Sequence, residues 1–443
     1  MATIFGTLLA FIIVFGILVF VHEFGHFFMA KLVGIRVEVF SFGYGKRLFG
    51  VRKGETDYRI SLVPMGGYVK LLGEGMFEPG RPVAPDDMMA KTRGQRLLVM
   101  AMGSVMNIVL AVILVAVING VGVPTAVYLD ERPVIGWVDK DSPAARSDLR
   151  IGDVITAING RPVKTWSDVE IAVGSRPDKE IRVEILRAGQ AATIELRTET
   201  IPRYSFGYAG FRARTLTQVQ AAMSGSPAEK AGLKPGDIIL AIDGQPVYFY
   251  QFIQILERSA GKELQLSVVR GGATVTIPVT PRREGNVGKI GIIQIPESVF
   301  KKYGVFAAIG QSVHENLHNT FLVVQFLRDL FTGEASTKQL GGPLEIANFS
   351  YAALRMGWLA MISWIAVISL QLGILNLFPI PVFDGGQIFV LIIESIFRRD
   401  LSPKARTIWM QIGFVIFVIL IVFVILNDIV KRLPHGWGSL LPF

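Results

Sequence analysis

The chain has 443 residues, of which 51% are hydrophobic and 18% are charged, below the roughly 25% charged residues of soluble domains. Together with a mean hydropathy of +0.46, this composition argues against a single soluble globule. The net charge of +9 would gather in one patch in a nucleic-acid-binding protein, but in cytoplasmic loops in a membrane protein. The sequence has no cysteine, which excludes disulfides and thiolate metal ligands.

Four segments carry no charged residue, namely 1–21, 97–118, 356–383 and 407–427. Each reaches the roughly 20 apolar residues that cross a bilayer core, so the sequence predicts four transmembrane helices. The first segment is longer than the apolar region of a signal peptide and has no basic residue before Lys31. We therefore expect it to be a retained span.

Basic residues are concentrated in two of the connecting loops. Eleven lie between residues 33 and 96, and the loop between spans three and four adds Arg398, Arg399, Lys404 and Arg406. The positive-inside rule places both loops in the cytoplasm. The two termini and the long segment 120–355 are then on the opposite side, since long domains translocate largely regardless of their charge.

That long segment contains an internal repeat. Residues 142–163 and 226–247 align without a gap, and twelve of the 22 pairs are identical. Each copy reads as a helix start at Ser-Pro-Ala, a Gly-Asp turn, a strand and an Asn-Gly or Asp-Gly hairpin turn. The pattern resembles the bacterial PDZ domain, here in tandem. Such domains bind peptides by strand addition, although two purely structural modules would also fit the pattern.

His22, Glu23 and His26 form an HExxH motif at the predicted cytoplasmic end of the first span. The i, i+4 spacing places both imidazoles on one helical face as metal ligands and leaves Glu23 free to act as a base. Ionisable groups are costly in a membrane helix and usually functional there. A buried His-Glu cluster satisfied by its neighbours is the alternative.

A second HExxH runs from His314 to His318, so the motif alone cannot identify the site. Apolar residues at helical spacing follow one face of this second segment and leave His314 and His318 on the opposite face. We expect a solvated face, or a helix at the outer membrane surface. Glu334 is a candidate third ligand there, but nothing in the pattern requires it.

The third ligand of the first motif must come from elsewhere in the chain, because catalytic zinc sites normally have three protein ligands. Span three ends in a stretch of two prolines and two glycines that contains one acid, Asp384. Irregular backbone at membrane depth is tolerated where it is buried in protein or lines a wet cavity. Asp384 is therefore expected to face His22 and His26, although a solvated Asp ending a span would also fit these residues.

With these motifs, the chain resembles the site-2 protease family of intramembrane zinc metalloproteases over nearly its whole length. The resemblance implies that His22, His26 and Asp384 bind Zn²⁺ and that Glu23 is the catalytic acid/base. It implies that further residues handle the substrate: Asn376, Pro379 and Pro381 in span three, Asn107 in span two, and Gly66, Gly67 and Tyr68 in a membrane-associated β-hairpin read from residues 64–73.

The fold class that follows is a polytopic α-helical membrane protein with four transmembrane helices. It has a cytoplasmic-side β-hairpin region and two tandem PDZ-like α+β domains between helices two and three. The predicted segments are helix one with HExxH (1–32), the hairpin loop (33–96), helix two (97–119), the two PDZ domains (126–200 and 203–283), an amphipathic helix with connector on the periplasmic side (300–355), helix three (356–383) and helix four (407–427).

The resemblance also implies the setting of the reaction. We expect a multi-pass protein of the bacterial inner membrane, with the termini and PDZ domains in the periplasm and the active site near the cytoplasmic side. The implied substrates are single-span membrane proteins, namely an anti-sigma factor already trimmed by a first protease and remnant signal peptides, in regulated intramembrane proteolysis. No nucleic acid is expected as a partner.

Two other classes of function compete with this interpretation. In a catalytically silent membrane scaffold, the PDZ modules would bind partner tails and the histidines would only pack. The intact Glu23 argues against a scaffold, because a retired enzyme has no reason to keep its acid/base. A transporter is disfavoured because the chain has only four spans and its intramembrane acids are concentrated at one end.

Overall fold

The computed structural model describes residues 2–73, 83–201, 206–285 and 287–430. The chain divides into two compact units. Unit 1 comprises residues 1–122, 302–327 and 340–443, and unit 2 comprises residues 123–301 and 328–339.

The described residues form eleven α-helices. In chain order, α1 to α11 are Ala2–Leu32, Arg93–Val121, Pro143–Arg146, Trp166–Gly174, Pro227–Lys230, Phe249–Arg258, Val305–Phe331, Pro343–Met356, Trp358–Asn376, Asp384–Phe397 and Pro403–Val430.

The strands β1 to β20 are Val37–Lys53, Thr56–Leu71, Val123–Ala126, Ile135–Val138, Val154–Ile158, Arg161–Pro162, Glu180–Arg187, Gln190–Arg197, Glu199–Ile201, Phe206–Tyr208, Phe211–Ala213, Thr217–Ala222, Ile238–Ile242, Gln245–Pro246, Leu264–Arg270, Ala273–Val279, Arg282–Glu284, Val287–Lys289, Ile292–Pro296 and Ser298–Lys301.

Four helices of the described chain are long and apolar enough to cross a membrane: Phe5–Leu32, Arg93–Val121, Trp358–Asn376 and Lys404–Val430. They coincide with the four spans predicted from the sequence. The third is shorter than predicted, since α9 ends at Asn376 rather than continuing to residue 383. Two prolines in the following loop prevent helix continuation, and a separate helix, α10, begins at Asp384.

Small residues allow α1 and α2 to approach closely. A Cβ atom added at Gly25 of α1 would lie 2.4 Å from the Met102 carbonyl oxygen of α2. A Cβ atom at Gly373 of α9 would lie 2.9 Å from the carbonyl oxygen of Ser104, also on α2. Small interface residues are the usual means of close helix contact where lipid supplies no hydrophobic drive. As a result, α2 packs closely against both α1 and α9.

The segment between α1 and α2 forms one long hairpin that folds back on itself. The first part of β1, residues 37–42, pairs on one side with residues 67–71 of β2 and on the other with residues 57–60 of the same strand. The prediction of a separate hairpin at residues 64–73 was therefore wrong, because 64–71 belong to β2. Residues 67–71 form an outer strand of this folded sheet.

Helix α7, which carries the second HExxH motif, buries two polar residues, Ser312 and Asn316. The Ser312 hydroxyl donates to the Val112 carbonyl of α2 over 2.6 Å. The apolar residues remain exposed, including Leu317 at 65% and Phe321 at 65%. An exposed apolar stripe on a helix bonded to a membrane-spanning helix indicates a lipid-facing surface.

Unit 2 contains two modules built around the sequence repeat. In each copy a serine caps a short helix: Ser142 Oγ accepts from Ala145 N, and Ser226 Oγ accepts from Glu229 N. Five apolar pairs at the repeat offset lie in the two separate hydrophobic cores. These pairs are Ala144 and Ala228, Leu149 and Leu233, Ile155 and Ile239, Ile158 and Ile242, and Val163 and Val247.

The turn that closes each repeat has the same backbone conformation. Asn159 and Asp243 have φ angles of 51° and 50°, and the glycine that follows each is also left-handed. A two-residue turn with both residues in this region is the type I′ hairpin turn, for which Asn-Gly and Asp-Gly are the preferred sequences. The hairpin predicted in each copy is confirmed: β5 pairs with β6, and β13 pairs with β14.

Candidate metal centre

Helix α1 brings two imidazoles together at one turn. The Nε2 atoms of His22 and His26 lie 3.2 Å apart, and both side chains are buried. The spacing of four residues places them one above the other on the helix. Their ring nitrogens therefore converge on one point beside α1.

Asp384, the first residue of α10, completes this cluster. Its Oδ2 lies 3.2 Å from His22 Nε2 and 3.5 Å from His26 Nε2. In the part of the chain that the structure describes, these three side chains form the one group of three or more His, Cys, Asp or Glu residues close enough to share a metal ion. The expectation that Asp384 faces the two histidines agrees with this geometry.

Glycines allow α10 to begin at this place. Cβ atoms at Gly385 and Gly386 would lie 2.2 Å from the Phe378 carbonyl oxygen and 2.3 Å from the Ile380 carbonyl oxygen. Only residues without a side chain permit the first turn of α10 to lie against the loop that follows α9. The Asp-Gly-Gly sequence thus holds the Asp384 carboxylate at the histidines.

The donor set and its geometry fit zinc. Among the described residues, the buried Asp384 Oδ2 atom has no hydrogen-bond donor, and such atoms are rare unless an ion or water satisfies them. The three distances of 3.2, 3.2 and 3.5 Å match the about 3.3 Å between ligands of a tetrahedral ion bound at about 2.0 to 2.1 Å. Two imidazoles and one carboxylate are also a common catalytic zinc set.

Close packing and one backbone contact hold the histidines in place. His26 Nδ1 donates to the Val99 carbonyl oxygen over 2.8 Å. A Cβ atom at Gly103 would lie only 2.3 Å from His26 Nε2, so α2 can pass this close only with glycine there. Sequence reasoning missed the Val99 contact, because a backbone carbonyl leaves no residue-type signal.

Glu23 lies beside the cluster but is held by the hairpin. The Val69 amide of β2 donates to Glu23 Oε2 over 3.0 Å, and Gly67 also approaches the Glu23 side chain. The neighbouring Tyr68 stacks on Tyr44, with ring centroids 6.0 Å apart. The outer strand of the sheet is therefore directly adjacent to the carboxylate expected to act as acid/base.

The other predicted substrate-handling residues fall at three places. Gly66 is buried at the start of the outer strand with a φ of +110°. Asn376 is the last residue of α9, and Pro379 and Pro381 lie in the loop that leads to Asp384. Asn107 of α2 is fully buried, and its side-chain amide lies 3.4 Å from His22 Nδ1.

Among the residues that the structure describes, the second HExxH motif makes no comparable cluster. His314 and His318 are exposed, while Glu315 accepts from Gln311 over 2.8 Å. Glu334, the candidate third ligand, instead pairs with Arg161 and Arg176 of the first repeat module. Arg176 also forms a buried ion pair with Asp329, so this acidic segment belongs to a structural network.

Comparisons with known proteins cover almost the whole chain. The profile of peptidase family M50 matches residues 10–420. The regulator of sigma-E protease RseP of Salmonella typhimurium is 34% identical over 97% of this chain and 99% of its own length. The Escherichia coli protein of the same name is 32% identical over 95% and 98%.

Two further matches are a full-length relative and a single solved domain. A relative from Neisseria meningitidis that carries a zinc metalloprotease name is 31% identical over 96% of this chain and 99% of its own length. A solved PDZ domain, from an SdrC-like protein of Listeria monocytogenes, matches 20% of this chain and 93% of its own length at 21% identity, with a TM-score of 0.17.

Proposed function

Because the chain belongs to peptidase family M50 and is a metalloprotease of the site-2 type, we propose that His22, His26 and Asp384 hold its zinc ion and that Glu23 is its acid/base. The observation that carries this proposal is the convergence of three ligand atoms within 4.8 Å of one another beside a carboxylate. All four residues lie in or next to membrane-spanning helices, which supports peptide hydrolysis at membrane depth.

A zinc ion held by His22, His26 and Asp384 would supply Lewis-acid polarisation of the scissile carbonyl and would make the attacking water more acidic. Glu23 accepts one proton from the attacking water as the new carbon–oxygen bond forms. It then delivers that proton to the nitrogen as the carbon–nitrogen bond breaks, so the products are a carboxylic acid, which keeps the second water proton, and an amine. The Val69 amide that donates to Glu23 Oε2 orients the carboxylate for this transfer.

The substrate must unwind before attack, since a transmembrane helix satisfies its own backbone hydrogen bonds. The outer strand at residues 67–71 offers a replacement partner, because the edge of a sheet can accept an added strand. Its Gly67 and Val69 lie against Glu23. A segment paired there would pass the proposed acid/base in extended form, which agrees with a role of Gly66, Gly67 and Tyr68 in substrate handling.

For the substrate, we propose single-span membrane proteins of the inner membrane, including a first-cleaved anti-sigma factor and remnant signal peptides. The relatives that bear the name regulator of sigma-E protease support the first class. Asn376, Pro379 and Pro381 precede the ligand Asp384 on the same loop and are proposed to contact the unwound segment. The positive-inside rule supports a zinc site near the cytoplasmic side and repeat modules in the periplasm.

The two repeat modules are proposed to be tandem PDZ domains that filter substrates by size. Deleting residues 126–283 should keep hydrolysis but allow cleavage of substrates whose extracytoplasmic domain is untrimmed. The measurement compares trimmed and untrimmed forms of one substrate in the intact and deleted enzymes. If the deletion variant discriminates as sharply as the intact enzyme, the filter lies elsewhere.

Metal analysis tests the central proposal. Protein purified in detergent without chelators should contain one equivalent of zinc, and His22→Ala should lose both that zinc and cleavage of a single-span substrate. His314→Ala is the matched control, since it removes a histidine from the other HExxH motif and should change neither. Zinc retained in full by His22→Ala would refute the proposed ligand set.

A further inference from the structure

The two proposed histidine ligands are held through their Nδ1 atoms by different kinds of group. The His26 Nδ1 contact is the Val99 carbonyl oxygen, which can only accept a hydrogen bond. His26 Nδ1 therefore carries the proton, and its Nε2 lone pair faces the site. Because the acceptor is a backbone carbonyl, a change of the Val99 side chain does not remove it.

His22 depends instead on a side chain. Its Nδ1 lies 3.4 Å from one end of the Asn107 amide, assigned as the NH₂ group. In that orientation an NH₂ group faces Nδ1, and the other end of the amide, Oδ1, is buried with no hydrogen-bond partner among the residues that the structure describes. An NH₂ facing Nδ1 would require the proton to be on Nε2, the atom that points at Asp384 and His26.

The opposite amide orientation gives Oδ1 a hydrogen-bond donor and allows the His22 proton to be on Nδ1 rather than on Nε2. A half-turn of the amide exchanges its oxygen and nitrogen with almost no change in shape. Asn107 Oδ1 then accepts from His22 Nδ1–H, which leaves the Nε2 lone pair free to face the site. Buried acceptors are normally satisfied, and this orientation gives Oδ1 the donor it otherwise lacks.

The backbone of Asn107 on α2 is bonded to a second membrane-spanning helix, α9. Its carbonyl oxygen accepts from Ser369 Oγ of α9 over 2.7 Å. Helix α9 also approaches closely at Gly373, where an added Cβ atom would lie 3.4 Å from the Asn107 Cβ. The amide is therefore held against His22 by the same helix that leads to Asp384.

We propose that Asn107 is a positioning residue that accepts a hydrogen bond from His22 Nδ1–H and so presents His22 Nε2 to the metal ion. The proposal rests on the ligand set proposed above. The family resemblance implied that Asn107 handles substrate, whereas its contact with His22 assigns it a role in metal affinity before any substrate binds.

Zinc affinity of the purified full-length protein in detergent tests this role without any measure of proteolysis. In Asn107→Leu the acceptor is lost, and zinc binding measured by chelator competition should weaken about 10- to 100-fold, as for other partners of metal-bound histidines. In Asn107→Asp a carboxylate accepts from Nδ1–H, and affinity should equal or exceed that of the unmodified protein. Asn107→Ala repeats the truncation if Leu prevents folding.

The Asp variant separates the two orientations of the amide. If Asn107 donated to His22, Asp would fail as badly as Leu, and that result would overturn the proposal, as would unchanged affinity in both Leu and Ala variants. Ser104→Ala is the matched control, because Ser104 is also buried on α2 and its hydroxyl has no hydrogen-bond partner in the described part of the chain. Full zinc binding by His22→Ala would instead refute the ligand set, so the two failures are distinguishable.

Discussion

The two HExxH motifs of this chain have the same residue spacing but different surroundings. His22 and His26 are buried, face Asp384 and contact α2. His314 and His318 are exposed on α7, and their glutamate is bonded to Gln311. The spacing brings two imidazoles to one helical face in both motifs. The spacing does not supply a third ligand, burial or an orientation for the rings. Those come only from helices other than the one that carries the motif.

The largest effect should follow from removing the base of the first motif. Glu23→Gln keeps the shape of the side chain and the three proposed ligands but cannot accept the water proton. We expect cleavage of a single-span substrate to fall by about 10²- to 10⁴-fold, the usual contribution of general acid–base catalysis, with zinc content unchanged.

Glu315→Gln makes the identical change in the second motif and is expected to leave the cleavage rate as it was. Product formation from a reconstituted substrate measures both variants. Wild-type rates in Glu23→Gln would mean that another group moves the proton.

The next effect concerns the ligand that only the first motif has. Asp384→Asn replaces a charged carboxylate by a neutral amide, a much poorer zinc ligand, so zinc content and cleavage should both decrease. The double variant His314→Ala/His318→Ala should retain both, since these side chains have no third ligand in the described part of the chain. Elemental analysis measures zinc in each protein, and loss of one whole equivalent from the double variant would reverse the assignment of the two motifs.

A smaller effect should come from packing against the first motif. In Gly103→Ala the new methyl group would lie 2.3 Å from His26 Nε2, so the imidazole or α2 must move. We expect zinc affinity to fall by about tenfold, the lower end for changes around a metal-bound histidine.

Gly310→Ala is the matched substitution near the second motif, where an added Cβ meets nothing within 4 Å. It should leave zinc affinity unchanged and stabilise α7 by up to about 1 kcal/mol. Chelator competition and thermal unfolding measure the two quantities. Equal zinc affinity in the two variants would mean that α2 does not constrain the histidines.

Much of the fold could be predicted because its signals are local. Uncharged segments of about 20 residues predicted the four long apolar helices, since a bilayer core admits few charges. The repeat predicted two similar modules, because its buried positions and turn residues recur at one offset. The family and the protease activity also followed from motifs that are separated along the chain but characteristic in combination.

The sequence by itself determined which residue types could serve the chemistry, since HExxH and the Asp-Gly-Gly stretch supply two imidazoles, a carboxylate and a base. Tertiary structure decided which copy of HExxH meets the aspartate, that residues 64–71 form half of a long strand, and that Asn107 contacts His22. These outcomes depend on contacts between residues far apart in the chain, such as the 3.4 Å approach of α2 to His22. The hydrophobic periodicity of a sequence reports only on residues of the same helix or strand, so it cannot predict contacts of this kind.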